Sequence, residues 1–333
     1  MIWKPMLNGL LNIHKEAGWT SQDVVSRLRG ILKQKKIGHT GTLDPDATGV
    51  LVCALGTATK LTELLTDHEK EYIAVCQLGV ETDTQDLSGA VLKETPFTAV
   101  TGDASPQVTG EETVLSTGTL RECLKRFQGS YEQTPPMYSA VKVDGKRLYT
   151  LARQGVTVER KSRSVQIHSI SLLDTAAWER EPLFTMEVRC SKGTYIRTLC
   201  ADIGEALHVG GAMAHLTRTR VGNFTLDRAL TLARVEELVS EQRLEQELFP
   251  PDAVFGDLER VTVSEQARKA LINGNALPLP ALSVPEDLPE ELPFPDGGRF
   301  RVYDSGGCFF GIYRYDARKE CFVTEYFFGG GNG

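Results

Sequence analysis

The sequence predicts an α+β protein of two domains. The chain has 333 residues, about twice the length of a typical domain. Hydrophobic residues make up 41% and charged residues 24%, as in globular proteins, so wholesale disorder and a collagen-like chain are excluded. Strand and helix patterns do not alternate as regular β-α units, which favours α+β over a doubly wound parallel sheet.

The elements expected in the first 250 residues follow from short apolar patterns. Thr20 or Ser21 is placed to cap a helix whose apolar residues recur every three or four positions. The alternation of apolar and polar residues from Phe184 to Cys190 is typical of a half-buried strand. In chain order, we predict a strand over 10–14, a helix after residue 20, a glycine-rich turn over 38–49, a buried apolar run over 50–55, a helix over 60–65, a strand over 72–78, a helix over 120–127, a strand over 184–190 and a helix over 198–207.

Composition changes near residue 248. Phe249-Pro250-Pro251 is a plausible boundary, so we predict domains over 1–248 and 249–333. The polar stretch 94–119 and the acidic, proline-rich stretch 282–296 are predicted as exposed insertions. In the second domain we expect a strand over 261–263, a helix from Ser264 to Asn273 ended by Gly274, and strands over 300–303, 309–313 and 322–328.

Charge is distributed unevenly along the chain. The net charge is −7, but residues 235–297 alone carry −10, which leaves +3 for the rest. Residues 27–36 hold five basic side chains and no acidic one, and residues 141–165 hold seven basic against two acidic. Either stretch alone fits an ordinary solvated face. Because local charge sets the field over a groove, the acidic total does not exclude a nucleic-acid partner.

Several functional classes lack their sequence signals. The longest apolar run, Val50–Leu55, is far too short to span a bilayer, and the first residues contain no apolar core of a secretory signal. The seven cysteines are scattered without a C-x-x-C pair, which indicates reduced cysteines in a cytoplasmic protein. The six histidines are also far apart, so no metal site is expected. A nucleotide-binding enzyme is disfavoured, because the chain contains neither G-x-x-x-x-G-K-[ST] nor G-x-G-x-x-G, the two glycine motifs that bind phosphate groups.

Residues 38–49, G-H-T-G-T-L-D-P-D-A-T-G, are the most informative segment. Their glycines permit tight turns and close approach of the backbone to a ligand. Asp44 precedes a proline, which disfavours the helical region and stiffens an extended backbone. Such a carboxylate suits a nucleophile or a general base, whereas Asp46 has no such restraint. A plain turn explains the same residues, and turn chemistry alone favours it.

The segment and its surroundings resemble the TruB family of tRNA pseudouridine synthases. The glycine-rich segment is followed by V-L-V-x-x-L-G-x-A-T-K, which ends at Lys60 and also resembles that family. The resemblance spans about residues 8–230, with Glu16 where the family usually has proline. The other matching blocks are Lys15–Ser21, Thr134–Lys142 with Gly145–Tyr149 and Ala152–Gly155, Cys190–Thr198, and Ala214–Gly222.

The resemblance implies a fold and a reaction. The fold is the pseudouridine synthase fold, a mixed and largely antiparallel sheet flanked by helices, with a small PUA-like β domain at the C-terminus. The reaction converts uridine 55 in the T-loop of tRNA to pseudouridine, without cofactor or metal. His39-Thr40 resembles the stand-alone bacterial enzymes rather than their guide-RNA-dependent relatives. We therefore expect a cytoplasmic monomer that binds the T-arm of tRNA without a guide RNA or a membrane.

The resemblance also implies roles for individual residues. Asp44 is the catalytic nucleophile, which attacks C1′ of the ribose or C6 of the base, and Arg197 pairs with its carboxylate. Tyr72 stacks on the uracil, with its phenol available for removal of the C5 proton. Residues 130–163, the thumb-like segment, correspond to a mobile element that closes over the T-loop. The implied substrate-binding residues are His39, Tyr195, Leu216, Lys15, Lys60 and Arg153, with the two lysines placed to meet phosphates.

An alternative belongs to a different class, an RNA-binding or RNA-folding protein that acts on tRNA with catalysis secondary. The presence of Asp44, Tyr72 and Arg197 favours the enzyme.

Overall fold

The computed structural model describes residues 6–103, 107–109, 112–143, 145–283 and 294–329. Its strands are, in chain order, Gly9–Lys15 (β1), Ile37–His39 (β2), Thr48–Leu55 (β3), Lys70–Leu78 (β4), Val80–Thr82 (β5), Val91–Glu94 (β6), Thr98–Val100 (β7), Gln107–Thr109 (β8), Glu112–Ser116 (β9), Gly129–Gln133 (β10), Lys142–Val143 (β11), Lys146–Arg147 (β12), Arg163–Asp174 (β13), Leu183–Cys190 (β14), Gly211–Val221 (β15), Phe224–Thr225 (β16), Glu259–Thr262 (β17), Leu277–Pro278 (β18), Arg299–Tyr303 (β19), Phe309–Asp316 (β20) and Cys321–Phe327 (β21). Its α-helices are Ser21–Leu32 (α1), Thr62–Thr66 (α2), Thr117–Arg126 (α3), Leu148–Ala152 (α4), Ile196–Ala206 (α5), Leu232–Ser240 (α6) and Arg268–Ile272 (α7). Short 3₁₀ turns cover Gly56–Leu61, Leu226–Arg228, Leu244–Glu247, Pro251–Phe255, Glu265–Ala267 and Leu279–Ala281.

A large central sheet organises the first 230 residues. Its strand order is β1-β3-β15-β4-β14-β13-β10, with β2 added to β3 and β16 to β15. The β3–β15 pair is parallel, and the other described pairs of this sheet are antiparallel. Helices α3 and α5 pack on one part of the sheet and α1 and α6 on another. The predicted mixed, largely antiparallel α+β architecture is confirmed.

Helix α1 begins where its sequence places a reciprocal cap. The Thr20 hydroxyl accepts a hydrogen bond from the Asp23 amide at 3.1 Å, and the Asp23 carboxylate accepts one from the Thr20 amide at 3.0 Å. Each residue thereby satisfies a backbone donor that the first turn leaves free. Of the two predicted candidates, Thr20 is the cap. Ser21 lies inside the helix and is buried, which leaves its hydroxyl free for another partner.

Strand β3 is buried on both faces. Val50, Val52 and Ala54 point into one apolar cluster, and the alternate residues Leu51, Cys53 and Leu55 point into another. The second cluster is completed by α1 and α6. The first includes Ile312 and Phe328, so the C-terminal part of the chain shares a core with the central sheet.

The alternating segment 184–190 forms the predicted strand. On β14, Phe184, Met186, Val188 and Cys190 are buried, and β4 presents Tyr72, Ala74, Cys76 and Leu78 to the same cluster. Residues of α3 and α5 cover these side chains, as the two-residue period of a half-buried strand requires.

The polar stretch 94–119, predicted as an exposed insertion, contains regular secondary structure. Within it, β7, β8 and β9 form a three-stranded sheet, and α3 already begins at Thr117 with Ser116 as its cap. Threonine is polar but also β-branched, so a threonine-rich stretch suits a strand as well as a loop. Residues 104–106 and 110–111 lie outside the described residues, as do 284–293 of the predicted acidic insertion.

A second sheet, here called the C-terminal sheet, has the order β17-β19-β20-β21-β18. Strands β19, β20 and β21 confirm the three aromatic strands expected late in the chain. The predicted helix from Ser264 to Asn273 is instead a 3₁₀ turn followed by the single-turn helix α7, and the Ser264 side chain makes no capping hydrogen bond. Gly274 follows with a φ of +68°, as expected of a helix stop. Over the described ranges, none of the helices combines the length and apolarity needed to cross a membrane.

Candidate active site

The loop between β2 and β3 carries Asp44 and is held by hydrogen bonds to helix α1 and to the end of strand β1. Its Leu43 amide donates to the Ser21 hydroxyl of α1 at 2.9 Å. The Pro45 carbonyl accepts from the Lys15 ammonium at the end of β1, at 2.8 Å, and from the Gly18 amide at 3.0 Å. These contacts fix the backbone on both sides of Asp44, so its carboxylate projects from a supported position.

The predicted pair of Asp44 with Arg197 is present. Arg197 Nε lies 2.9 Å from Asp44 Oδ2, and Arg197 Nη2 lies 3.2 Å from Oδ1. The Nη2 contact is a hydrogen bond and the Nε contact an ion pair, and together they orient the carboxylate. The side chain of Asp44 keeps 38% of its surface exposed whereas that of Arg197 keeps 6%, so the carboxylate stays open on one side.

Arg197 is itself held by residues from distant parts of the chain. It is the second residue of α5, and its Nη1 lies 3.3 Å from the Asp86 carboxylate and 3.1 Å from the Thr84 carbonyl. Its Nη2 donates to the Tyr138 carbonyl at 2.9 Å. The guanidinium therefore lies between two carboxylates in a fixed orientation. Because Asp44 contacts it, the Asp44 carboxylate is also held in a defined position.

Burial dominates the electrostatics of Asp44. Loss of solvent raises the pKa of its carboxyl above the ordinary aspartate value, and the nearby Asp86 carboxylate raises it further. The Arg197 guanidinium opposes both effects. Burial thus favours the neutral acid, and the Arg197 guanidinium favours the carboxylate.

Strands β4 and β15 form a wall beside Asp44. Tyr72 on β4 is paired in register with Arg218 on β15, and Ala74 is paired with Leu216. Residues two apart on a strand share a face, so these four side chains line the same side of the sheet. Tyr72 and Leu216 are each 8% exposed. The structure thus brings the predicted Tyr72 and Leu216 together in an apolar wall that reaches the solvent.

Two further predicted residues, His39 and Tyr195, are partly buried. His39 ends β2, and burial together with the Arg218 charge lowers the pKa of its imidazole, which favours a neutral ring at pH 7. Tyr195 precedes α5 and is half-buried, with the Arg163 guanidinium 4.8 Å from its ring centre. The buried Gln133 fixes the Tyr195 backbone by two hydrogen bonds, of 2.7 Å and 3.0 Å.

The two lysines expected to meet phosphates have other contacts. Lys15 has no exposed surface and donates to the Glu16 and Pro45 carbonyls, and burial lowers the pKa of its ammonium to about 8. In this structure Lys15 is an anchor of the loop, and its contact with phosphate stays a prediction. Lys60 is exposed but donates to the Phe327 carbonyl of the C-terminal sheet at 2.9 Å.

Arg153 lies away from Asp44, in the thumb-like segment. It caps the C-terminal end of α4, is exposed, and stacks on the Tyr149 ring at 5.7 Å from its centre. None of its described contacts is with the residues around Asp44. Arg153 can therefore bind substrate only if the substrate extends to the thumb-like segment.

The sequence analysis missed Asp86, Ser21 as an anchor, and Arg218. Asp86 stands in the segment T-D-T-Q-D, whose turn-forming residues gave a signal that was left unused. Arg218 lies inside a matching block but was given no role. It is 2% exposed, and its guanidinium donates to the Val50 carbonyl at 2.7 Å and to the Gly41 carbonyl at 3.3 Å.

Comparison with known proteins places this site in a family. Residues 29–196 match the model described as TruB family pseudouridylate synthase (N terminal domain), just over half of the chain. The chain belongs to the TruB family. Residues 197–261 of this TruB family member match the model described as tRNA pseudouridylate synthase B C-terminal domain.

Curated relatives agree over almost the whole length. The chain is 48% identical over 320 residues to a tRNA pseudouridine synthase B from Lachnoclostridium phytofermentans, which covers 95% of this chain and 98% of that protein. It is 38% identical over 316 residues to one from Bacillus pumilus, with 95% of each chain covered. Family members of this name and length are enzymes that form pseudouridine, and so is this one.

Solved structures share the fold at lower identity. A structure described as a Cbf5-Nop10-Gar1 complex superposes with a TM-score of 0.66 at 24% identity, over 96% of this chain and 84% of that one. A structure described as an H/ACA RNP bound to a substrate RNA containing 2'-deoxyuridine gives 0.65 at 22% identity, over 96% and 84%. This likeness confirms the pseudouridine synthase fold.

Proposed function

We propose that this TruB family member isomerises uridine 55 in the T-loop of tRNA to pseudouridine. The observation that carries the proposal is the Asp44 carboxylate, gripped by Arg197 on one side and open on the other. Support comes from the relatives named tRNA pseudouridine synthase B at 38–48% identity. The position within tRNA rests on the resemblance of the sequence blocks.

The site residues divide the chemistry among them. The N1–C1′ bond of the uridine breaks, the uracil turns, and a C5–C1′ bond forms, with Asp44 attacking C1′ or C6. Arg197 orients the carboxylate and keeps an opposite charge beside it. Tyr72 offers a ring on which the uracil stacks, and Leu216 extends that apolar surface. Because the target base lies inside a stacked loop, it must be flipped outward to reach them.

The other predicted site residues contact the RNA around the flipped base. His39, with a ring that is neutral at pH 7, fills the space the base vacates, and Tyr195 shapes the pocket wall. Arg153, exposed on the thumb-like segment, contacts the T-arm. Lys60 reaches RNA only if its bond to the Phe327 carbonyl is exchanged for a phosphate contact.

We further propose how the protein works in the cell. It acts as a monomer in the cytoplasm, on tRNA alone, without guide RNA, metal or other cofactor. The net isomerisation neither oxidises the substrate nor adds a group to it, so its balance needs no second reactant. The seven free cysteines fit a reducing compartment. The catalytic domain comprises residues 1–248, and all strands of the C-terminal sheet follow that boundary.

One experiment tests the proposal directly. Purified protein is mixed with an unmodified T-arm hairpin in excess EDTA, and pseudouridine is mapped chemically at each position. We expect modification at position 55 and none in a hairpin with cytidine at that position. Modification elsewhere, or only after a metal or a guide RNA is added, would overturn the proposal.

The alternative, an RNA-folding protein with secondary catalysis, makes a different prediction. Under that alternative, modification of the hairpin remains substoichiometric even at high enzyme concentration, while binding is tight. The intact Asp44–Arg197 pair favours complete modification with many turnovers.

A further inference from the structure

Arg218 is a buried cation whose described partners include no carboxylate. Its side chain is 2% exposed, and it donates to the carbonyls of Val50 at 2.7 Å, Gly41 at 3.3 Å and Thr42 at 3.5 Å. Burying an arginine without an opposite charge is costly. Burial is the main cause of the lowered pKa values of three nearby groups, and the Arg218 charge lowers them further. These groups are Lys15, His39 and Lys70. A neutral side chain could also donate to these carbonyl oxygens, so the hydrogen bonds alone do not explain why a charged residue is buried here.

Two of the Arg218 acceptors belong to the loop that carries Asp44, which is only two residues from Thr42. The strand that follows this loop approaches Arg218 so closely that a Cβ on Gly49 would lie 2.2 Å from the Arg218 carbonyl oxygen. Gly49 has a φ of +107°, which other residues rarely adopt. The backbone of β3 and the Arg218 position are thus fitted to each other.

The same guanidinium faces Tyr72. The two residues are directly opposed across the β4–β15 ladder, and both are buried. Burial raises the pKa of Tyr72 to about 12, and the Arg218 charge is the strongest effect that opposes this rise. Arg218 therefore connects the Asp44 loop with the phenol on the neighbouring strand.

We propose that Arg218 is a positioning residue that holds the Tyr72 phenol toward the uracil and stabilises its phenolate. The proposal rests on the proposed function, because it concerns a proton transfer within that reaction. A guanidinium can only donate, so a hydrogen bond from Arg218 to the phenol oxygen leaves the phenolic proton for the substrate. Its charge offsets the burial that disfavours a phenolate.

The reaction supplies a reason for such a phenolate. Converting uridine to pseudouridine removes one proton from C5 and adds one to N1, so the proton count is unchanged. Tyr72 can deliver its phenolic proton to N1 after the N1–C1′ bond breaks, which leaves a phenolate beside Arg218. The phenolate then takes the proton from C5 while the C–H electron pair re-forms the C5–C6 double bond. Tyr72 ends as the phenol it was at the start.

A double-mutant cycle tests this coupling in the full-length protein. Single-turnover rates and RNA dissociation constants are measured for Arg218→Met, Arg218→Lys, Tyr72→Phe and the two double variants. We expect Arg218→Met to slow the chemical step by at least about tenfold with RNA affinity changed less than about threefold. In the Tyr72→Phe background the same change should cost less than about twofold, since the phenol it serves is already gone.

The remaining variants exclude a merely structural role. Arg218→Lys keeps the charge, so it should recover part of the rate lost in Arg218→Met, and it replaces that variant if the latter does not fold. Arg220→Met is the matched control, because Arg220 lies two residues further on β15 and pairs with Glu71 instead. It should leave the rate within about twofold. Rate losses for Arg218 and Tyr72 that simply multiply, with either replacement of Arg218, would overturn the proposal.

The cycle also separates this proposal from the proposed function. Wild-type protein that modifies the hairpin at position 55 while the Arg218 and Tyr72 effects multiply leaves the function intact and rejects only the coupling. Wild-type protein that forms no pseudouridine rejects both.

Discussion

Asp44 and Asp46 are two residues apart on one loop, yet their surroundings differ. Asp44 contacts Arg197, whereas Asp46 is exposed. We expect Asp44→Asn to abolish turnover while RNA affinity stays within about tenfold, because the change is nearly isosteric and removes the nucleophile. Asp46→Asn should retain turnover close to that of the wild type. Single-turnover assays of both variants decide the matter, and equal losses would remove Asp44 from its role.

The raised pKa of Asp44 gives turnover and stability opposite pH dependences. Turnover requires the ionised form, so it should fall on acidification at a higher pH than an ordinary aspartate would dictate. Folding favours the protonated form, because the folded-state pKa lies above the unfolded one. The stability associated with Asp44 is complete below the unfolded pKa and is lost as pH rises through the folded pKa.

Asp44→Asn removes that titration and provides the check. At pH 7 the variant should melt at a higher temperature than the wild type, and the difference should shrink on acidification. Calorimetric scans at several pH values measure both. A variant that melts lower at pH 7 would show that the Arg197 contact outweighs the cost of burying the carboxylate.

At the scale of elements, α1 supports the catalytic loop through Ser21. Its hydroxyl is buried and accepts from the Leu43 amide at 2.9 Å. Ser21→Ala leaves that amide without a partner, which should cost about 1–3 kcal/mol of unfolding free energy. Turnover should fall with little change in RNA affinity, because Leu43 adjoins Asp44. Ser26→Ala, at an exposed position of the same helix, should change neither quantity in urea titrations and rate assays.

The basic residues of the thumb-like segment have separate tasks. Arg160 donates to the Pro135 carbonyl within the segment, and Arg163 donates to the Gly193 carbonyl outside it, so both guanidinium groups are engaged by the protein's own backbone. Arg153 and Lys161 are exposed. Replacing both of these by glutamine should weaken RNA binding and reduce the slope of log affinity against log salt by about 1.5.

The control for this change is Lys125→Gln, since Lys125 is exposed on α3 and paired with Glu122 at 2.7 Å. Fluorescence titrations with the T-arm hairpin at several salt concentrations provide the slopes. Slopes equal to that of the wild type would place the RNA away from the thumb-like segment.

Elements with a strong local pattern were predictable, and long-range contacts were not. The alternation at 184–190 and the cap at Thr20 each depend on neighbouring residues, and both appear where expected. Asp86 acts through Arg197, 111 residues away. Nothing local distinguishes such an aspartate from any other turn residue. Burial of Lys15 was also hidden, because a lysine near a loop is ordinarily solvated.

At the scale of the whole molecule, the central and C-terminal sheets depend on each other. Ile312 of the C-terminal sheet is fully buried in the cluster that contains Val50 and Val52. Ile312→Ala should therefore lower the unfolding free energy by about 2–5 kcal/mol and lower the melting temperature of the protein as one transition. Ile272→Ala, at a residue that is 46% exposed, should have little effect. Two separate transitions in calorimetry would contradict a shared core.

The sequence predicted that the run 50–55 is buried, but not what covers it. An apolar run indicates burial on both faces without naming the partners. The net charge of −10 over residues 235–297 gave no help, since charged residues indicate exposed surface and not the side that packs inward. The apolar residues that join the two sheets are scattered from Leu10 to Phe328, which no local window contains.

The double burial of β3 decides which partner must deform during the reaction. This strand leads directly out of the Asp44 loop and is enclosed by helices on one side and the C-terminal sheet on the other. We therefore expect Asp44, the proposed nucleophile, to keep its position when RNA binds. The RNA instead takes up the distortion, at a cost of a few kcal/mol for unstacking one nucleotide. A T-loop whose target base is already loosely stacked is therefore the better substrate. We expect the enzyme to select RNA by the free energy needed to unstack that base.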